Sequence, residues 1–174
     1  GIVPALNMAT LTYTKPGNGI LVQPPVYFPF FSAVNNHNRK LIENQLVHQD
    51  GKYTIDFNDF EKKAKDAKMF FLSNPHNPVG RLWMKDELQK MGKICVENDV
   101  IIIADEIHCD LVLPGYKYIP MASLSKEISA KTVTCIAPSK TFNLAGMATS
   151  SLIIEDETLR KQFAQTIDHV HVGS

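Results

Sequence analysis

The chain has 174 residues, of which 44% are hydrophobic and 21% charged, a composition typical of a globular protein with a sizeable core. Lysine plus arginine and aspartate plus glutamate both total 18, so the charge balance gives no indication of a nucleic-acid partner or an anionic membrane. The sequence has no apolar run of membrane-spanning length and does not begin with the charged segment of a signal peptide. The three cysteines, Cys95, Cys109 and Cys135, form no CxxC pair, which favours a reducing cytoplasm.

Helical and extended patterns alternate from the beginning of the chain. The first helix is expected to end at the glycine- and proline-rich segment 15–19, and a later one to begin at Asp56, a capping residue. The predicted elements up to residue 74 are a helix over 4–14, a strand over 20–23, a helical segment after Pro29, a strand over 39–46, a helix over 55–67 and a strand over 68–74.

The second half repeats the alternation. Residues 84–99 carry an apolar stripe at helical spacing, whereas residues 100–106 form a continuous apolar run that ends in two acids. Two further strands are predicted over 132–137 and 150–154, and a last helix over 156–170. Strands alternating with helices predict an α/β fold, a mostly parallel sheet covered by helices on both faces.

Polar clusters follow three of the predicted strands directly. They lie at residues 74–80, 105–108 and 139–140. Parallel α/β sheets bind ligands beyond the carboxyl ends of their strands, so this coincidence is the main functional signal in the sequence.

Each cluster, taken alone, has an ordinary explanation. Asp105 could cap a turn, but an acid at the tip of an apolar strand must be desolvated or paired with a cation such as a pyridinium nitrogen. The segment "NPHNPVG" could simply reverse the chain, although Asn77 between prolines would be a rigid donor, and its X-Pro bonds are candidates for a cis peptide.

Lys140 could be a solvated cation or a working amine. The glycines of a phosphate-binding P-loop are missing before it, and the chain contains no G-x-S-x-G nucleophile elbow. A competing motif, S-x-x-K, occurs at Ser123 and Lys126, but it does not follow a strand, so Lys126 is expected at the surface.

Metal binding and cysteine catalysis have little support. The close ligand pairs are His108 with Cys109 and His169 with His171, and neither repeats as a zinc framework would. Cys109 is expected to be a buried, inert thiol.

In order along the chain, these clusters resemble the fold-type I pyridoxal-phosphate enzymes, the class I/II aminotransferase superfamily. The resemblance rests on Tyr27 in "PPVYFPF", Asn77 in "NPHNPVG", Asp105 in "ADEIH" and Lys140 in "APSKTFNLAG", and it covers essentially the whole chain. More narrowly, "DEIHCDL" with His108 and the "APSK" motif resemble the cystathionine β-lyase (C–S lyase) branch.

The resemblance implies a role for each of these residues. Lys140 would form the Schiff base with pyridoxal 5′-phosphate and then move the substrate α-proton. Asp105 would pair with the pyridine nitrogen, Asn77 and His108 would hydrogen-bond the 3′-oxygen, and Tyr27 would stack on the ring.

The phosphate would lie at the N-terminus of the first helix. Its donors would be backbone N–H groups near Ala5 and Leu6, helped by the Ser139 hydroxyl. Many relatives place an arginine eight residues after the lysine, where this chain has Ala148. Phosphate binding would then depend on neutral donors, with Thr149 and Ser150 as candidates, or on segments outside residues 1–174.

Residues 1–174 resemble the core of the large, cofactor-binding domain, without the N-terminal arm or the C-terminal small domain. The chain is therefore expected to be a piece of a longer protein that forms homodimers and takes a small amino-acid substrate. A C–S β-lyase is the favoured function. The alternatives are an aminotransferase acting with a 2-oxo acid, and a catalytically incomplete fragment.

Overall fold

Helices and strands follow one another in nearly the predicted order. The computed structural model describes residues 1–170. The helices are α1 (Ile2–Tyr13), α2 (Pro29–Asn35), α3 (Phe57–Ala64), α4 (Lys85–Glu97), α5 (Lys126–Ser129) and α6 (Glu157–His169). The strands are β1 (Gly19–Val22), β2 (Lys40–Glu43), β3 (Val47–Gln49), β4 (Lys52–Thr54), β5 (Ala67–Ser73), β6 (Ile101–Asp105), β7 (Thr132–Ile136) and β8 (Ser151–Ile154).

Six of the strands form one sheet in the order β2-β1-β5-β6-β7-β8. The pairs from β2 to β7 are parallel, and β8 is antiparallel to β7. The predicted fold class, a mostly parallel sheet in an α/β protein, is therefore confirmed. Because the strands are parallel, their carboxyl ends meet at one edge of the sheet, where the three polar clusters follow them.

Both faces of the sheet are covered, and β5 shows this directly. Phe70 and Leu72 pack with the helices α3 and α4, whereas Met69 and Phe71 pack with α1 and α2 on the other side. Neighbouring residues of a strand point to opposite faces, so a strand buried on both sides is apolar throughout. None of the helices within residues 1–170 is long and apolar enough to cross a bilayer.

The structure contains elements that were not predicted, among them the short helix α5. Residues 47–54 form a separate antiparallel hairpin, β3–β4, where no element was predicted. Helix α4 begins after Met84, a residue without an ordinary capping side chain. A side chain in the first turn of the helix makes the capping contact instead: Glu87 Oε2 accepts the backbone N–H of Met84 at 2.7 Å.

Candidate active site

The carboxyl ends of β5, β6 and β7 form the floor of the candidate site. Ser73, Asp105 and Cys135 lie opposite one another in the sheet register. The Asn74 N–H donates to the Asp105 carbonyl at 3.0 Å, and the Glu106 N–H donates to the Cys135 carbonyl at 2.9 Å. The backbone at Asp105 and Glu106 is therefore held by both neighbouring strands.

Asp105 is 5% exposed, and burial raises its pKa from 3.8 to about 7. The hydrogen bond from the Ile107 N–H and the positive charge of Lys140 oppose this rise, while the neighbouring Glu106 adds to it. The bond from Ile107 is long, at 3.3 Å. A buried carboxyl group with such weak compensation is an environment suited to a cationic partner.

Lys140 lies close enough to both Asp105 and His108 for its charge to lower the pKa of each. Burial lowers the pKa of His108, and the charge of Lys140 lowers it further. Lys140 itself is exposed and lies in the turn that follows β7. The structure thus brings together an amine, an imidazole and a buried acid from the ends of two adjacent strands.

The segment after β5 brings Asn77 to the same edge of the sheet. Its backbone N–H donates to Ser73 Oγ at 3.0 Å, and the peptide bonds Asn74–Pro75 and Asn77–Pro78 are both cis. His76 lies between these two cis peptide bonds, and its Nε2 donates to the Pro25 carbonyl at 3.0 Å. This bond ties the segment to the loop that carries Tyr27.

Tyr27 is half-buried at the end of that loop. Its ring contacts Phe28 and Phe30 with centroid separations of 5.9 and 6.3 Å, and it packs against the α1–α2 side of the core. The aromatic neighbours restrict the orientation of the ring. Tyr27 is therefore presented from β1, two strands away from Asp105 in the sheet.

The start of α1 requires a correction to the predicted phosphate donors. The helix begins at Ile2, so the Ala5 N–H already donates to the Gly1 carbonyl at 3.3 Å, and Leu6 is fully buried. Helix geometry leaves the N–H groups of Ile2 and Val3 without intrahelical acceptors. These two, rather than Ala5 and Leu6, are the donors available to a bound anion.

The helix start lies beside the segment that follows Lys140. The Gly1 nitrogen donates to the Ala148 carbonyl at 2.5 Å, and Ala148 has a left-handed backbone with φ 49°. The position where many relatives carry an arginine therefore adjoins the α1 N-terminus in this chain. Ser139 is half-buried just before Lys140.

A cavity of about 610 Å³ lies on the side of the site formed by the segment after β5 and the turn after β6. Asn77 and His108 form part of its lining, and the loop from Leu111 to Tyr116 forms another wall. Arg81 also lines it, paired with Glu87 at 2.5 Å. The cavity has the size of a small-molecule site, and its lining includes two of the predicted cofactor residues.

Sequence reasoning missed the role of Glu106. This residue is fully buried, and burial raises its pKa. Oε1 accepts the Met121 N–H at 2.9 Å, and Oε2 accepts the Tyr118 hydroxyl. The signal in the sequence was the second acid of "ADE", which directly follows Asp105.

Of the competing residues, Lys126 lies at the start of α5, away from this cluster, whereas Cys109 directly follows His108. Lys126 is exposed, as predicted, and follows Ser125, which caps α5 by accepting the Ile128 N–H at 3.2 Å. Cys109 is half-buried rather than buried, and burial raises its pKa above the ordinary thiol value. His171 lies outside the described residues, so the His169–His171 pair remains a sequence observation.

Comparison with known proteins gives a consistent result over the whole length. The family profile described as "Aminotransferase class I and II" matches residues 1–174. Cystathionine beta-lyase PatB of Bacillus subtilis is 46% identical over 175 residues, covering 99% of this chain and 45% of PatB.

Two solved structures show the same similarity. Cystalysin from Treponema denticola, which contains a pyridoxal 5′-phosphate cofactor, superposes with a TM-score of 0.95 at 46% identity, over 97% of this chain and 43% of cystalysin. The pyridoxal-phosphate-bound C–S lyase from Staphylococcus hominis superposes with a TM-score of 0.90 at 36% identity, over 100% of this chain and 44% of that protein. The chain thus spans less than half the length of the relatives it matches. It belongs to the class I and II aminotransferase family.

Proposed function

We propose that the full-length protein is a pyridoxal-phosphate-dependent C–S β-lyase. It would convert a sulfur-containing amino acid and water into a thiol, pyruvate and ammonia. The observation that carries the proposal is the buried carboxyl group of Asp105 within the electrostatic reach of Lys140, at the ends of adjacent strands. The similarity to PatB, cystalysin and the Staphylococcus lyase favours this branch of the family.

The residues present fit the cofactor. Asp105 is a buried acid whose one side-chain hydrogen bond within residues 1–170 is the 3.3 Å contact from Ile107, so a protonated ring nitrogen would supply the missing positive charge. The phosphate would be held by the N–H groups of Ile2 and Val3 and by the Ser139 hydroxyl, all neutral donors.

Lys140 and His108 would have different roles, Lys140 in the reaction itself and His108 in orienting the cofactor. Pyridoxal phosphate, when bound, supplies an aldehyde that condenses with amines and a ring that accepts electrons from the substrate α-carbon. Lys140 would hold the cofactor covalently through Nζ and, once released by the incoming amino group, take the α-proton at that atom. His108 and Asn77 would orient the ring through its 3′-oxygen, and Tyr27 would cover one face.

An aminotransferase is the second candidate, because the family to which the chain belongs is named for that reaction. The two reactions use the same groups up to removal of the α-proton. They differ in whether the β-substituent leaves or the amino group is passed to a 2-oxo acid. Fold membership alone does not decide between them.

We also propose that residues 1–174 are the core of the cofactor-binding domain of a cytoplasmic homodimer. The segment after Lys140 exposes three apolar side chains, Phe142 (66%), Leu144 (44%) and Met147 (70%). Exposed apolar side chains so close together favour an interface with another part of the assembly. The three free cysteines are compatible with a reducing compartment.

Borohydride reduction of the cofactor-loaded full-length protein tests the covalent role of Lys140. Reduction followed by peptide mass analysis is expected to place the modification on Lys140. The Lys140→Ala variant is expected to lose it, and the matched surface variant Lys126→Ala to keep it. Modification of another lysine, or no cofactor uptake by the unmodified protein, would refute the proposal.

Product analysis separates the two reactions. With cystathionine, the lyase is expected to release pyruvate without any 2-oxo acid acceptor. Glutamate-dependent amino transfer without pyruvate release would reject the lyase and support the aminotransferase.

A further inference from the structure

Glu106 lies at the junction between the strand ends and the cavity wall. Its side chain is fully buried, and each carboxylate oxygen accepts one hydrogen bond from the segment 118–121. Its backbone is fixed at the same time, because its N–H donates to the Cys135 carbonyl and its carbonyl accepts the Cys109 N–H at 3.0 Å. One residue therefore joins β7, the turn that carries His108, and the end of the following loop.

The loop between these points has few other attachments. Residues 110–120 leave Leu113 and Tyr116 mostly exposed, at 73% and 65%. Nearby anchors are the Asn74 side chain, which donates to the Ile119 carbonyl at 3.0 Å, and the Thr141 hydroxyl, which donates to Asp110 at 2.8 Å. A loop with so little buried apolar surface depends on its polar contacts for order.

We propose that Glu106 is a positioning residue that fixes loop 110–120 as a wall of the substrate cavity and holds the turn bearing His108 in place. The inference rests on the proposed function, since it assigns the cavity to the substrate. Glu106 acts through Tyr118 and Met121 rather than on the substrate itself. The loop contributes Leu111, Val112, Leu113 and Tyr116 to the cavity lining.

The chemistry of the contacts explains why a long acid is suited to this position. Its carboxylate accepts from a backbone N–H and from a hydroxyl in two directions, and a buried donor left without such an acceptor is costly. Glutamine can accept the Met121 N–H through its oxygen and donate to the Tyr118 oxygen through its nitrogen. Glu106→Gln should therefore preserve the loop, whereas Glu106→Ala removes both bonds.

The first test measures loop order in the full-length protein, without any need for activity. Hydrogen exchange of the Met121 amide and trypsin cleavage after Lys117 are both expected to accelerate about tenfold or more in Glu106→Ala, and to change less than about twofold in Glu106→Gln. Ser129→Ala is the matched control, because it removes another hydroxyl that donates to a glutamate, Glu155, away from the cavity.

Unchanged exchange and cleavage in Glu106→Ala would overturn the proposal, as would equal acceleration in Ser129→Ala. If Glu106→Ala fails to fold, Tyr118→Phe decides in its place, because it removes only the hydroxyl contact. It is expected to accelerate cleavage after Lys117, and an unchanged rate would count against the proposal.

The second test connects the loop to the substrate. In the cofactor-loaded protein, Tyr118→Phe is expected to raise KM for cystathionine more than it lowers kcat, while the cofactor absorbance stays unchanged. Equal KM in the variant and the unmodified protein would overturn the link to the cavity. Absence of cofactor absorbance in the unmodified protein would instead refute the proposed function and leave the loop measurements valid.

Discussion

Replacing Asp105 by asparagine should stabilise the cofactor-free protein at high pH, although it removes the proposed partner of the cofactor. The carboxyl group is buried, and the one hydrogen bond to its side chain within residues 1–170 is a 3.3 Å contact. Above pH 7 the folded state must therefore hold an ionised group that water would solvate better. Asparagine has nearly the same shape and no charge to bury.

The size of the effect follows from the pKa. A rise from 3.8 to about 7 corresponds to roughly 4 kcal/mol, at about 1.4 kcal/mol per unit. Because the pKa of Asp105 is higher in the folded state than in the unfolded state, its ionisation destabilises the fold. This destabilisation is complete above pH 7 and disappears below pH 3.8, where Asp105 is protonated in both states. At pH 5 the unfolded state is ionised but the folded state is not, which leaves roughly 2 kcal/mol.

Urea unfolding of unmodified protein and Asp105→Asn at pH 8 and pH 5 measures this difference. The free energy of unfolding of the variant relative to the unmodified protein should fall by roughly 2 kcal/mol between pH 8 and pH 5. Any fixed cost of burying the amide cancels in that comparison.

Asp99→Asn is the control, because its partner Lys131 lowers the pKa of Asp99 and the sign of the effect is reversed. If the difference in free energy of unfolding between Asp105→Asn and the unmodified protein did not change with pH, the reasoning would be refuted. In the cofactor-loaded protein the same substitution should weaken cofactor binding, measured by titration of the absorbance.

Three further substitutions test the packing that supports the site, each by chemical denaturation. Trp83→Ala should lower the free energy of unfolding by about 3–5 kcal/mol, because Trp83 is 1% exposed, and a loss below about 1 kcal/mol would contradict its place in the core. Gly19→Ala should cost about 1–3 kcal/mol, because the new Cβ would lie 2.4 Å from the Asp66 carbonyl oxygen, while Gly146→Ala, with nothing within 4 Å, should not suffer this clash. Asp56→Ala should cost about 1 kcal/mol through loss of the α3 cap, and no change would show that the cap is dispensable.

The fold was largely predictable because the central strands of its sheet, β1, β5, β6 and β7, are buried on both faces. An apolar run such as 100–106 has few other interpretations once helical segments flank it. The β3–β4 hairpin was not predictable in the same way, since all three residues of β3 are exposed and the pattern lacks a buried face. The Glu87 contact to Met84 was also missed, because the prediction considered only the side chain that precedes the helix.

The clustering of polar residues at one edge of the sheet was predictable where they lie at or shortly after the ends of strands. Asn77, Asp105, His108 and Lys140 satisfy that condition, and the structure brings them to one edge of the sheet. The predicted phosphate donors, Ala5 and Leu6, lie one turn beyond the free N–H groups at the start of α1. The start of a helix without a capping side chain cannot be located closely from sequence. The role of Glu106 was not predictable, because it depends on tertiary contacts with Tyr118 and Met121 that the local sequence does not show.

The contact between the start of α1 and Ala148 has a consequence for biosynthesis. The two residues are 147 positions apart, so at about 5–20 residues per second the ribosome adds the second roughly 7–30 s after the first. Most of the apolar cover of α1, including Phe30, Met69 and Phe71, is synthesised within that interval, whereas Phe163 of α6 follows only after Ala148. The apolar side of α1 is therefore completed only after α6 has been synthesised, and the contact at the N-terminus of α1 is among the last in this part of the fold to form.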